Sequence, residues 1–407
     1  MDKKQRWLLL VFLILHFISA QEVAAVTGGV GVGFGRGGGG GMWVGGGVNI
    51  NNNNNNNIPT TTNPSKSNIS YGALQAWKSA ITDDPLGILK SWVGTNVCSY
   101  KGIFCVDSEM GPVISGIDLN HANLQGTLVK DLSVFDEMTL LHINSNRFSG
   151  TIPESFKGMT SLQELDLSNN LFSGPFPSAT LYMPNLMYLD LRFNNFVGSL
   201  PEDLFNKRLD AIFLNNNQFE GQIPDNLGGS PASVINLANN KLTGSIPASV
   251  GFMSSNLKEI LFLNNQLTGC IPEGVGLFQE IQVFDVSYNS LMGHLPDTVS
   301  CLSDIEVLNL AHNKLSGELS NLVCSLKSLV NLTVSYNFFS GFSQECSRLP
   351  NRNAGFDFSG NCIPGRDYQR PQPQCSDVPG AGLSCFRIPA VQPDVCGTLA
   401  QYLGAQP

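Results

Sequence analysis

An asparagine that returns at nearly constant intervals is the feature that most limits what this chain can become. It stands at Asn146, Asn170, Asn194, Asn217, Asn240, Asn265, Asn289, Asn313, Asn337 and Asn361, at intervals of 24, 24, 23, 23, 25, 24, 24, 24 and 24 residues. Chains with a period of this length stack one coil on the next, because a single repeat cannot bury its apolar face alone. Around each asparagine the residues follow LxxLxLxxNxLxGxIP. One further repeat precedes these with Ala122 at the asparagine position, which makes eleven, the last truncated.

The pattern translates directly into structure. Before Asn170, Leu165 and Leu167 alternate with Glu164, Asp166 and Ser168, which predicts a short strand with leucines inward and polar residues outward. Each such strand pairs in parallel with its neighbours. The asparagine then turns inward, where its amide bonds backbone groups of adjacent coils that would otherwise be buried and unpaired. Phe172 adds the next core layer and Gly174 permits a tight backbone. Repeats of roughly 20 to 29 residues with this pattern resemble leucine-rich repeats. Seven repeats continue with a segment such as Gly150-Thr151-Ile152-Pro153 or Gly244-Ser245-Ile246-Pro247, as in the plant-specific class. That resemblance implies a second short sheet and a twist. The expected fold is an α/β solenoid: a right-handed leucine-rich-repeat superhelix of the plant-specific type, with about eleven repeats, a parallel concave sheet and disulfide-capped ends.

Outside the periodic region the chain changes character. Lys3, Lys4 and Arg6 precede an apolar run from Trp7 to Ile18 and the small residues Ser19 and Ala20, so residues 1–20 read as a secretory signal peptide. The run is too short to cross a bilayer, which takes about 20 apolar residues, and no later segment offers a span. Residues 21–70 read as a disordered linker, because Gly28 to Gly47 and the asparagine run Asn51 to Asn57 cannot bury enough apolar surface to offset ordering entropy. Order is expected from Tyr71. Residues 71–112 form an N-terminal cap, with Leu74, Trp77, Ala80 and Ile81 on one helical face and Asp83-Asp84-Pro85 ending the helix. The solenoid spans 113–365 and a cysteine-rich C-terminal segment 366–407.

The 10 cysteines of an exported chain read as disulfides. Cys98 and Cys105 flank the first coil and are paired in the cap. Cys346 and Cys362 are placed to close the last coil, and Cys301 and Cys324 to bridge successive coils. The partners of Cys270, Cys375, Cys385 and Cys396 stay open. No CxxC pair or Cys/His spacing calls for a metal or cofactor.

Only 14% of the residues are charged, and asparagine supplies the polar surface. The chain carries 23 Lys+Arg and 32 Asp+Glu, a formal charge of −9; cleavage after Ala20 removes three basic residues and one acidic residue, leaving −11. That balance favours a basic partner and argues against nucleic acid.

With the leucines inward, the outward columns can be read from the alternation. The central column runs Asp118, His142, Asp166, Asp190, Phe213, Asn236, Leu261, Asp285, Asn309 and Thr333. The column nearest the asparagines includes Phe193, Tyr288, His312 and Tyr336, and the opposite flank includes Glu164 and Tyr188. Tyr188, Phe193 and Phe213 are thus expected to cluster beside Asp166, Asp190 and Arg192, aromatics next to charges being the usual makings of an interface hot spot. The bland alternative is that aspartate is common at its place in the repeat and single exposed aromatics need no explanation. Asp166 and Asp190 on neighbouring strands would stand about 5 Å apart, the spacing retaining glycosidases use, but an open face offers no pocket to desolvate an acid, and no catalytic residue is assigned. Two sequons, Asn68-Ile69-Ser70 and Asn331-Leu332-Thr333, mark N-glycosylation. A glycan on Asn331 would close the C-terminal part of the face and confine a partner to the N-terminal and middle repeats.

Two flanking motifs are more specific than the repeats. Ala73-Leu74-Gln75-Ala76-Trp77-Lys78, Asp83-Asp84-Pro85, Ser91-Trp92 and the segment from Asn96 to Cys105 resemble the leucine-rich repeat extensin family of plant cell walls. The stretch from Gly360, GNCIPGRDYQRPQPQC, resembles that family's cysteine-rich hinge. The resemblance implies an extracellular, non-enzymatic protein of the wall that binds small, basic, disulfide-bonded rapid alkalinization factor peptides and so influences wall formation. This chain departs from the family in stopping at Pro407 without a Ser-Pro-Pro run, as an extensin-less member would. A wall polysaccharide, a receptor kinase and a second copy of the chain stay open as further partners. The rival reading is a polygalacturonase-inhibitor-like protein that clasps a wall-degrading enzyme.

Overall fold

The computed structural model describes residues 66–380 apart from Met110 and Ser254, together with Cys385 and Cys396. All lie in a unit spanning Thr61–Pro407. The expected signal peptide, the Gly/Asn-rich stretch up to residue 65 and most of the hinge beyond 380 fall outside the described residues.

Each leucine alternation becomes a three-residue strand, and the strands add up to one long sheet of 12 whose order follows the chain. Glu164–Asp166 pairs in parallel with Leu140–His142 on one side and Tyr188–Asp190 on the other, placing Leu165 opposite Leu141 and Leu189. Those three leucines are buried, as are Ile212, Ile235 and Ile260 at the same place in later strands. The register read from the sequence therefore holds along the sheet. Its first strand, Ile103–Ser108, is antiparallel to Gly111–Asp118 and belongs to the cap.

A second sheet of 11 strands runs along the other side of the asparagine positions, as the GxIP segments imply. Its repeat glycines from Gly150 to Gly317, among them Gly174, adopt φ between +77° and +90°, a region closed to most side chains. The coils return through short 3-10 turns, such as Glu154–Gly158 and Asp225–Gly229, each opened by the proline of the GxIP segment.

Between the sheets the asparagines form the expected ladder. The Asn170 side chain accepts from the Phe148 N–H at 2.9 Å on the preceding coil and donates to Ile143 O at 2.9 Å and Leu167 O at 3.1 Å. Asn194 repeats this with Phe172 N–H, Leu167 O and Leu191 O. Beneath the ladder, phenylalanines stack from coil to coil, Phe148 on Phe172 at 6.4 Å and Phe196 on Phe219 at 6.2 Å. Trp77 of the cap continues that column, 5.8 Å from both Phe148 and Trp92, and so closes the apolar end of the first coil.

The cap departs from the sequence reading in two places. Its helix runs Lys66–Ala80, so it opens ahead of Tyr71 and takes in the last residues of the stretch read as a linker, including the exposed sequon residue Asn68. Ile81, expected on the helical face, leaves the helix and pairs with Gly126 in the strand Ile81–Asp83, which edges the second sheet. The carboxylate of Asp84 then accepts from the N–H groups of Ile88 and Leu89 at 2.9 and 2.8 Å, satisfying donors at the start of the next turn.

Cys98 is bonded to Cys105. The other pairs differ from the sequence placement: Cys324 joins Cys346, Cys362 joins Cys375, Cys301 joins Cys396 and Cys270 joins Cys385. Cys324 and Cys346 end or occupy short helices, Asn321–Cys324 and Gln344–Ser347, that follow one another on successive coils and bring the sulfurs together. Cys301 lies one coil earlier in a 3-10 turn and is taken by the C-terminal segment instead.

Candidate functional site

The aromatic and acidic residues of repeats three to five meet on the outward side of the long sheet. Tyr188 and Asp190 share one strand, Asp166 stands beside Asp190 on the preceding strand, and Phe213 beside it on the next. The rings of Tyr188 and Phe213 are 5.7 Å apart, and the Arg192 guanidinium lies 5.2 Å over the Phe213 ring. Arg192 Nε is 3.0 Å from Asp190 Oδ2, and the Tyr188 hydroxyl donates to the same oxygen at 3.2 Å. The Arg192 N–H completes the enclosure by donating to Oδ1 at 3.1 Å.

Asp190 consequently differs from its expected role. It stands in the outward column but is 0% exposed, covered by Tyr188, Arg192 and Phe213 from its own and the next strand. Burial pushes its carboxyl up to about 7 and Asp166 adds to that, against the opposing pull of Arg192 and of the hydrogen bonds from Arg192 N–H and Tyr188. Burial also drives the Tyr188 phenol upward, helped by the charges of Asp190 and Asp166. The expected exposed acidic pair is thus one accessible aspartate, Asp166, beside a sealed one. Asp166 Oδ1 accepts from Ser168 N–H and Oγ at 2.9 and 2.6 Å, and Oδ2 has no hydrogen-bond partner among the described residues.

Phe193 sits on the same coil at the rim, with φ +53° and no ring contact to Tyr188 or Phe213. Its position belongs to a column that the sequence located without revealing its backbone. Ser145, Asn169, Phe193, Asn216, Asn239, Asn264, Tyr288, His312 and Tyr336 all take φ between +52° and +57°. Asparagine tolerates this left-handed region, whereas aromatics there are strained. The prevalence of asparagine in the column was the available signal.

Two further groupings escaped the sequence reading. His142 Nε2 lies 3.1 Å from Glu164 Oε2 on the neighbouring strand. Burial opposes the imidazolium, but Glu164, Asp166 and Asp118 outweigh it and hold the His142 pKa above its usual value. At the other end of the sheet, Tyr288, His312 and Tyr336 stack face to face, with centroids 4.1 and 4.3 Å apart. Asn331 and Thr333 of the second sequon both face outward and half-buried on one strand, the Thr333 hydroxyl 3.4 Å from Asn331 Oδ1. Among the described residues no His/Cys/Asp/Glu group is disposed to hold a metal, and no helix is long and apolar enough to cross a membrane.

The comparisons with known proteins agree with this architecture. The leucine rich repeat N-terminal domain matches residues 70–106, and leucine rich repeat models match residues 136–196 and 304–326. Leucine-rich repeat extensin-like protein 6 of Arabidopsis thaliana is 46% identical over 65 residues, covering 15% of this chain and 14% of the relative. The match thus spans about a seventh of that relative's length. A TDR receptor structure is similar at 32% identity and a TM-score of 0.57, over 61% of this chain and 43% of the receptor. The Arabidopsis receptor kinase HAESA, solved with the peptide hormone IDA and the co-receptor SERK1, shares the fold at 22% identity and a TM-score of 0.62, over 72% of this chain and 54% of that one.

Proposed function

We propose that this leucine-rich-repeat chain, similar in sequence to plant extensin-like proteins, acts outside the cell as a non-catalytic binding protein of the wall. In this reading it holds a small, basic, disulfide-bonded signalling peptide of the rapid alkalinization factor type on the outward side of its long sheet, and so influences wall formation.

One observation carries the reading. The N-terminal half of that face sets Asp118, Glu164 and Asp166 next to a half-buried aromatic patch of Tyr188 and Phe213 that Arg192 orders from above. Charge of one sign steers an oppositely charged ligand, while rigid aromatics supply contact area at small entropic cost. Asp190 fixes the patch from beneath. Its bonds to Tyr188 and Arg192 hold both side chains in place before a ligand arrives, which lowers the ordering cost of association. HAESA, which shares the fold, was solved in complex with a peptide hormone, so a solenoid of this kind is compatible with a peptide ligand.

The test is a titration of the secreted chain with a synthetic basic, disulfide-bonded peptide at low and physiological salt. Saturable binding that weakens with salt and with Phe213→Ala is expected. Absence of any affinity at low salt removes the reading, and inhibition of a pectinase by the same preparation transfers it to the inhibitor class.

A further inference from the structure

The C-terminal end of the long sheet carries a second site of different chemistry. Beyond the Tyr288–His312–Tyr336 stack lies an open cavity of about 500 Å³ lined by Tyr336, Ser359, Gly360, Tyr368, Gln369, Arg370 and Gln374. In a chain with formal charge −9, this lining holds an arginine and no carboxylate.

The cavity is built rather than incidental. Gly360 N–H donates to Tyr368 O at 2.7 Å, Arg370 N–H donates to Asn361 O at 2.7 Å, and the Cys362–Cys375 bond closes the loop that bears both side chains. Gly360 has φ +64°, and a methyl there would meet the Tyr336 ring at 2.8 Å, so the glycine lets Tyr336 lie flat along the floor. Arg370 Nε donates to Asn337 O at 2.8 Å, and its guanidinium lies 4.4 Å over the Phe338 ring. Those contacts aim the group without neutralising it: Nη1 reaches only Gln374 Oε1 at 3.5 Å, and Nη2 has no partner among the described residues. The nearest acid on the last strand, Asp357, is turned to Ser359, whose N–H and hydroxyl it accepts at 3.0 and 2.8 Å. Tyr368 stands 88% exposed with φ +58°, a strained backbone that presents its ring to solvent.

The geometry points to a binding site for a uronic-acid oligosaccharide at Tyr336, Tyr368 and Arg370. A pyranose ring offers a C–H face that packs on an exposed aromatic, hydroxyls for the Gln374 amide, and a carboxylate that the guanidinium takes through two parallel hydrogen bonds. The volume suits one or two sugar rings. The net negative charge of the chain disfavours a polyanion on average, and the arginine in a lining without a carboxylate is a local exception to it. The site is separate from the peptide face and does not depend on it.

The experiment is calorimetric titration of the full chain with a short oligogalacturonate, its methyl ester, and a neutral peptide bearing a free C-terminal carboxylate. The acid oligosaccharide is expected to bind and the other two to bind at least roughly ten-fold more weakly, the worth of one charge-assisted hydrogen bond. Tyr368→Asn removes an exposed ring and keeps a residue that accepts positive φ, so it leaves the thermal midpoint unchanged or slightly raised and lowers affinity by a similar factor. Arg370→Gln is expected to abolish discrimination between acid and ester. Equal binding of acid and ester by the parent chain overturns the proposal, as does unchanged affinity in Tyr368→Asn. Preferential binding of the peptide carboxylate overturns the sugar assignment.

Discussion

The Tyr188 hydroxyl and the Asp190 carboxylate, two positions apart on one three-residue strand, are joined by a hydrogen bond of 3.2 Å that seals the acid from solvent. A side chain that alternation sends outward is thereby as buried as the leucines on the opposite side of the strand.

That burial makes stability depend on pH. Asp190 has its carboxyl raised to about 7 in the folded chain against 3.8 when exposed, so the folded state binds the proton more tightly. Its contribution is complete below about pH 4 and is lost as pH rises through about 7. The raised His142 acts in the same direction. Denaturant titrations from pH 4 to 8 should therefore show stability falling by up to a few kcal/mol, and Asp190→Asn should flatten the slope assigned to this group. A rise in stability over that interval contradicts the assignment.

Phe213→Ala should remove both the ring contact with Tyr188 and the surface under Arg192, weakening peptide binding by roughly ten-fold or more. Asp166→Asn should act mainly on the association rate and on its salt dependence. Surface plasmon resonance at two ionic strengths separates the two effects.

The ladder can be tested at Asn194, which is almost fully buried and accepts from Phe172 N–H while donating to Leu167 O and Leu191 O. Asn194→Ala leaves these groups unpaired. A loss on the order of 3 kcal/mol or more in chemical denaturation is expected, together with faster amide exchange on the two adjoining coils.

The left-handed column offers a trade between stability and binding. Phe193→Asn places a tolerant residue at φ +53° and should stabilise the chain by up to about 1 kcal/mol. The same change removes a rim aromatic and should weaken the peptide complex. Thermal midpoint and affinity moving in opposite directions is the expected result; a fall in both denies the strain.

The leucine period and the asparagine interval made the coils, the long sheet and the ladder legible, because each of those features depends on residues that recur with the chain's own period. The outward columns followed for the same reason. Asp190 was misread because its burial arises from Tyr188, Arg192 and Phe213, side chains whose rotamers the alternation does not specify. Spacing likewise put Cys301 and Cys324 in equivalent places, while the pairing is decided by the C-terminal segment that reaches Cys301. Ile81 fitted a helical face, yet pairing with Gly126 satisfies an otherwise open sheet edge. The Arg370 pocket lies where the repeat has run out, so no periodicity announced it.

The two long-range disulfides, Cys270–Cys385 and Cys301–Cys396, bear on how the chain would carry a pull. Tension applied beyond Cys396 enters the body at Cys301 and leaves the later coils slack, so the end of the stack is shielded from unzipping. Load is delivered instead to interior turns, where a coil is gripped by neighbours above and below it and must be sheared from both at once.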